Sequence, residues 1–150
     1  MGVLSDKFPE RGKIIVPVDG SENSKRALTF AIKFAEKYSA SITIAHVVYL
    51  AVELVTNTPD LATKITRRFE EKGKKLLEDS LMQVQQAGII GRTALLRGRI
   101  GPEIVSYTEI KDFDMVVIGS RGLDALSRTL RGSISDYVVD HATCPVFIVK

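Results

Sequence analysis

The sequence predicts a doubly wound α/β domain, a five-stranded parallel sheet with helices on both faces. Three observations predict it. Short apolar runs recur along the chain without the polar alternation of a half-exposed strand, as strands covered on both faces require. Longer segments with apolar residues at helical spacing lie between them. The two kinds alternate from about Lys13 to Lys150, which argues for parallel strands joined by right-handed crossovers. A chain of 150 residues suits one domain, whose core is large enough to stand without disulfides or metal.

Residues 1–12 are polar, carry Pro9 and Gly12, and read as a loose tail. Lys13-Ile14-Ile15-Val16-Pro17-Val18 is the first strand; Pro17 has no N–H to donate and belongs near its end. Asp19 follows where the strand gives out, and Ser21 or Asn23 can cap the next helix. Ala27, Leu28, Ala31, Phe34, Ala35 and Tyr38 form that helix's apolar stripe. Ser41 to Val48 is the second strand. Residues 49–60 have no firm pattern and are a candidate flap, ending in the breaker and helix start Asn57-Thr58-Pro59-Asp60. A long helix runs from about Leu61 to Gln86, with Ile65, Phe69, Leu76, Leu77, Leu81 and Val84 inward and Gly88 as its stop. The third strand is roughly Gly91 to Arg97. Pro102 suits the first position of the next helix, which carries Ile104, Val105, Tyr107, Thr108 and Ile110. Met115 to Ile118 is the fourth strand, Ser133 to Ala142 the last helix, and Pro145 to Lys150 the fifth strand.

Composition closes off several functions. The net charge is only +3 and the two signs are interleaved, so no nucleic-acid-binding arm stands out. The cluster Lys72, Lys74 and Lys75 is diluted by Glu70, Glu71, Glu78 and Asp79 and reads as a solvated helix face. The single cysteine, Cys144, excludes an internal disulfide and reads as a small buried hydrophobe. No apolar run reaches the about 18 residues of a membrane span. Residues 1–12 lack the apolar core of a secretory signal and depart from the myristoylation pattern at Ser5-Asp6, so the expectation is a cytoplasmic protein. His46 and His141 have no partner motif, which argues against structural zinc. A nucleophile elbow G-x-S-x-G, a P-loop and a dinucleotide fingerprint G-x-G-x-x-G are all absent.

The most informative stretch runs from Asp114 to Lys150. The fourth strand ends at Gly119, Gly122 follows, and Gly132-Ser133 opens a helix. A strand that empties into a glycine-bearing loop and then a helix N-terminus can bind phosphate. Glycine lets the backbone approach closely, the first helical N–H groups lack partners, and the dipole is positive there. The plainer reading is that Gly119 and Gly122 make a turn and Gly132 permits tight packing.

The spacing G-x2-G-x9-G-S, carried by Gly119, Gly122, Gly132 and Ser133, resembles the signature of the universal stress protein family. The words VVIGSRG, RGSISDYVV and HATCPVFIVK around it, and IIVPVDGSENSKRAL near the start, resemble that family too. The likeness runs from about Lys13 to Lys150. It implies strand order 3-2-1-4-5, an adenine nucleotide alpha hydrolase-like fold, and membership of the subgroup that holds ATP. Strands one and four then form a topological switch point, where ligands enter beyond the carboxyl ends of strands.

The resemblance also implies a site. Asp19 matches the family's first-strand Asp, a partner for ribose hydroxyls or adenine N–H groups, or a ligand for magnesium; its plainer role is a helix cap. The Val47 backbone matches the position that pairs with the adenine edge, though Val47 also suits the core. Pro17 and Val18 wall the base. The N–H groups of Gly122, Ser133 and Ile134 meet phosphates, with Gly119 in the same motif, and Arg121, Arg128 and Arg131 are candidate charges at that end. The expected ligand is ATP with Mg. The apolar edge Val146–Val149 suits pairing with a second copy, as in family dimers. Three functions remain open: a regulatory ATP-binding module, a slow ATPase or phosphotransferase, and an interaction module whose glycines are architectural. No base that would activate a nucleophile stands out, since Asp19 is the single candidate acid.

Overall fold

The computed structural model describes residues 8–49, 57–120 and 134–150. Its elements are β1 (Lys13–Pro17), α1 (Glu22–Tyr38), β2 (Ser41–Val48), α2 (Pro59–Gln86), β3 (Gly91–Arg97), α3 (Ile100–Ile110), β4 (Met115–Gly119), α4 (Ile134–His141) and β5 (Val146–Val149). All strand pairings are parallel and the order is β3-β2-β1-β4-β5. The predicted architecture and strand order are therefore those observed.

The apolar runs have the burial that two covered faces demand. Ile14, Ile15 and Val16 are fully buried, and their side chains alternate between two cores. Ile14, Val16, Ile42, Ile44, Met115 and Val117 pack with α1 and α2 residues such as Ala27, Leu28, Ala31, Leu77 and Val84. Ile15, Ala45, Val47, Val116 and Ile118 pack with Ile104 of α3 and Val138 of α4. Each fully buried branched side chain contributes about 1.5–3 kcal/mol. At the amino ends of the strands, β1 and β4 are tied by Lys13 N–H to Asp114 Oδ2 (2.7 Å) and Asp114 N–H to the Lys13 carbonyl (2.9 Å).

Local signals behave as their chemistry suggests. Ser21 is the α1 N-cap, its side chain accepting from Ser24 N–H at 3.2 Å. Gly88, at φ 76°, follows α2 in a conformation that few other residues adopt. Cys144 is half-buried, and burial pushes its thiol pKa up.

Three expectations differ from the structure. Phe69 is not on an inner face but 49% exposed. The 28 residues of α2 span about 42 Å, against about 23 Å for β3. Because Glu70 already pairs with Arg97 at the end of β3, the turns before it run past the sheet. Ile110, in the last turn of α3, lies off the Ile104–Thr108 stripe and is 74% exposed. Helix α3 begins at Ile100, so Pro102 is its third residue, still within the first turn where its missing donor costs nothing. Phe8, in the segment read as a tail, packs edge-on against Phe34 at 5.2 Å, and Gly12 N–H closes a turn onto the Pro9 carbonyl. Residues 50–56 of the candidate flap at 49–60, and the helix start at Ser133, lie outside the described residues.

Gly73 sits mid-helix in α2, where glycine costs about 1 kcal/mol relative to alanine. Its Cα faces the sheet, and an added Cβ would stand 2.6 Å from His46 Cδ2 and 3.1 Å from Leu95 Cδ1. Gly73→Ala is therefore expected to destabilise the protein by about 1–2 kcal/mol despite alanine's helix propensity. Urea unfolding checks this; an unchanged or raised midpoint would contradict the packing.

Candidate functional site

Neighbouring strands β1 and β4 send their chains to opposite faces. β1 leads into α1 on one side, and α4 packs on the other. The crevice between such strands opens at their carboxyl ends, the position from which doubly wound sheets bind ligands. Pro17, Val18, Asp19 and Gly119 all lie at this end, joined by Val47 from β2 and Ile134 from the first turn of α4.

The β1–β2 pair opens like a fork. Their ladder ends with Val18 N–H donating to the Ala45 carbonyl at 2.8 Å. The next rung of a parallel ladder would run from Val47 N–H to the Val18 carbonyl. Among the described residues no such bond forms. Instead His46 Nδ1 lies 2.7 Å from the Val18 carbonyl, so that nitrogen carries the proton and donates. β2 continues beside β3 as far as Val48↔Arg97. Strand alternation aims the Val47 main-chain N–H and C=O at the opened gap. The Val47 side chain, 8% exposed, belongs to the core beneath α3 and α4, so the residue is both a core valine and a main-chain edge. Pro17 and Val18 are buried at the root of the fork.

Asp19 is held by the start of α1. Its Oδ1 accepts from Ser21 N–H at 2.9 Å, and Gly20 turns the chain between them at φ 82°. Ser24 Oγ donates to the Ser21 carbonyl at 3.0 Å. Asp19 thus has the capping-type role that its sequence position also suggested, with its carboxylate at the mouth of the cleft. No group of three or more His, Cys, Asp or Glu side chains gathers for a metal ion among the described residues. A magnesium ion here would need phosphate oxygens to complete its shell.

Gly119 has a packing reason of its own. An added Cβ would stand 2.7 Å from the Asn23 main-chain carbon and 2.8 Å from its oxygen. The first turn of α1 rests directly on the end of β4. Beyond it, Ser120 N–H donates to the Val149 carbonyl at 2.8 Å, and Ser135 Oγ donates to the Ser120 carbonyl at 3.4 Å, tying α4 to the strand end. Arg121, Gly122, Arg128, Arg131, Gly132 and Ser133 lie outside the described residues. On the far flank, Arg97 Nε pairs with Glu70 Oε1 at 2.6 Å; this hydrogen bond holds the carboxyl below its usual range and the guanidinium above its own.

One participant escaped sequence reasoning. His46 lacks any partner motif, yet its Nδ1 takes up the Val18 carbonyl at the point where the β1–β2 ladder ends. The available signal was a glycine in the middle of a long helix, which marks a place where something large packs against the backbone.

The model of the universal stress protein family matches residues 10–150. The chain belongs to that family. Universal stress protein YxiE of Bacillus subtilis is 30% identical over 145 residues, covering 92% of this chain and 98% of the relative. Universal stress protein MJ0531 of Methanocaldococcus jannaschii is 31% identical over 138 residues, covering 92% and 81%. Among solved structures, universal stress protein UspA from Lactobacillus plantarum superposes with TM-score 0.80 at 24% identity, over 95% of this chain and 99% of that one. Family structures of the same fold carry adenine nucleotides: dAMP in a protein of Archaeoglobus fulgidus (TM-score 0.64, 23% identity, 95% and 100% covered) and AMP in one of Arabidopsis thaliana (0.66, 22%, 93% and 91%). A further universal stress protein structure holds cAMP.

Because Asn23's backbone cannot yield as a side-chain tip would, Gly119→Ala is expected to cost about 1–3 kcal/mol of stability without any nucleotide present. Thermal or urea unfolding of the purified variant measures it. Wild-type stability would contradict the packing role of Gly119.

Proposed function

We propose that the chain is a regulatory module that binds an adenine nucleotide, ATP with Mg, at the carboxyl ends of β1 and β4. The observation that carries this reading is the fork. It aims the main-chain donor and acceptor of Val47 into a gap at the same end of the sheet as Gly119, which suits the hydrogen-bonding edge of a base. Relatives of the same fold that hold AMP, dAMP or cAMP support the choice of adenine.

On this reading Pro17 and Val18 wall the base, and Asp19 meets the ribose hydroxyls or shares in holding Mg. The N–H groups of Gly122, Ser133 and Ile134 face the phosphates, where Arg121 and Arg131 add positive charge; the motif G-x2-G-x9-G-S supports that assignment. The chain's own residues bind and orient the nucleotide. Among the described residues no positioned base accompanies Asp19, which favours a binding role over catalysis. A cytoplasmic location is consistent with the family, and no helix among the described residues is long and apolar enough to cross a membrane. The interaction-module reading keeps one observation in its favour: Gly119 is accounted for by Asn23 alone.

The protein's thermal midpoint with and without Mg-ATP decides between them. Ligand at 100 times its Kd adds about 2.7 kcal/mol. Gly122→Asp sets a carboxylate against the phosphates and is expected to weaken binding at least about tenfold while the fold survives. No shift at millimolar ATP, or unchanged affinity in the variant, would overturn the site.

We further propose a homodimer through β5. This strand pairs only with β4 among the described residues, and Ile148 on it is 43% exposed. The wild-type chain should sediment as a dimer at micromolar concentration and Ile148→Lys as a monomer. A monomeric wild type would refute the interface.

A further inference from the structure

We propose that His46 is a positioning residue for the nucleotide site: by occupying the Val18 carbonyl it stops β1 from zipping further onto β2, and so keeps the Val47 N–H available to a base edge. The proposal rests on the nucleotide reading above. Three observations carry it. The last β1–β2 rung is Val18 N–H to the Ala45 carbonyl. Ladder geometry assigns the next one to Val47 N–H and the Val18 carbonyl. That carbonyl is 2.7 Å from His46 Nδ1, at the short end of the N–H···O range.

The competition is between a side chain and a main-chain donor for one acceptor. His46 follows Ile42 and Ile44 in alternation, so its ring stands on the α1–α2 face of the sheet. There the Val18 carbonyl must tilt toward the ring and away from β2. Gly73 of α2 makes the ring's berth, since an added Cβ would come within 2.6 Å of His46 Cδ2 and 3.3 Å of Nε2. The helix therefore gives up side-chain volume at the one place where the imidazole needs it. A leucine at position 46 would fill similar space without a donor. The Val18 carbonyl, now needing a partner, would be free to take the Val47 N–H and close the fork.

The test compares His46→Leu with His46→Asn in the full-length protein. Asparagine places an amide N–H close to where the imidazole Nδ1–H stood, so it should rescue what leucine loses. Two readouts are needed: amide hydrogen exchange at Val47 by NMR without ligand, and ATP and AMP affinity by calorimetry. We expect His46→Leu to slow Val47 exchange roughly tenfold and weaken nucleotide binding by a similar factor, the effect of one hydrogen bond gained by the fork and denied to the ligand. His46→Asn should stay within about threefold of wild type in both. Unchanged Val47 exchange in His46→Leu would overturn the proposal whatever the affinity does. Slowed exchange in a protein whose wild type binds no adenine nucleotide would uphold the fork and sink the nucleotide reading instead. Should His46→Leu fail to fold, nitrogen-15 shifts of the wild-type ring decide: a proton on Nδ1 supports the bond to Val18, and a proton on Nε2 alone overturns it.

Discussion

The first turn of α1 lies on the end of β4 with no space for a side chain between them, and much of the molecule's functional end follows from that contact. Asn23's main chain can come this close only because residue 119 has no Cβ. The approach brings the cap of α1, with Ser21, Ser24 and Asp19, to the rim of the crevice between β1 and β4. Helix α4, tied to the end of β4 through Ser135 and Ser120, packs on the opposite face. A cleft at a switch point is usually described through topology; here one glycine also lets a stretch of helix backbone close against the strand end.

The fork between β1 and β2 shows a second use of the same principle. A buried carbonyl must find a donor, and ending a ladder early leaves one exposed to that requirement. The Val18 carbonyl is satisfied by an imidazole and not by the sheet. Helix α2 in turn carries a glycine at position 73, accepting a local helix penalty of about 1 kcal/mol so that the ring fits. A strand end, a side chain and a helix position thus form one coupled unit. None of the three makes physical sense without the others.

The two sheet edges are treated differently. β3 is half-exposed, and the Glu70–Arg97 pair braces α2 across its carboxyl end. The Arg97 side chain is 52% exposed, so the pair contributes orientation more than stability. β5 has an apolar face against α1, where Phe147 stacks on Phe30 at 5.5 Å, yet Ile148 on its other face stays substantially exposed. Charge and a covering helix manage one edge, while among the described residues the other presents apolar side chains.

Periodicity carried much of the fold. Runs such as Ile14-Ile15-Val16 can be buried on both faces only inside a covered parallel sheet, and the helical stripes supplied the covers, so element types and most bounds were legible from residue order alone. Strand order was not: every parallel arrangement buries the same runs, and it took the family resemblance to suggest the order that pairing then displayed. Within the site, Asp19, Val47 and Gly119 could be named from motif position, because turns and glycines mark chain geometry locally. His46 could not, because its partners are a carbonyl 28 positions away and a helix glycine in a different element. Phe69 failed as an inward residue for a related reason: a one-dimensional stripe does not record where a helix outruns its sheet. Sequence alone therefore determined what each segment is. Only tertiary packing decided which main-chain groups lost their sheet partners and which side chain took their place, since that competition is settled between atoms distant in the chain and a few ångströms apart in space.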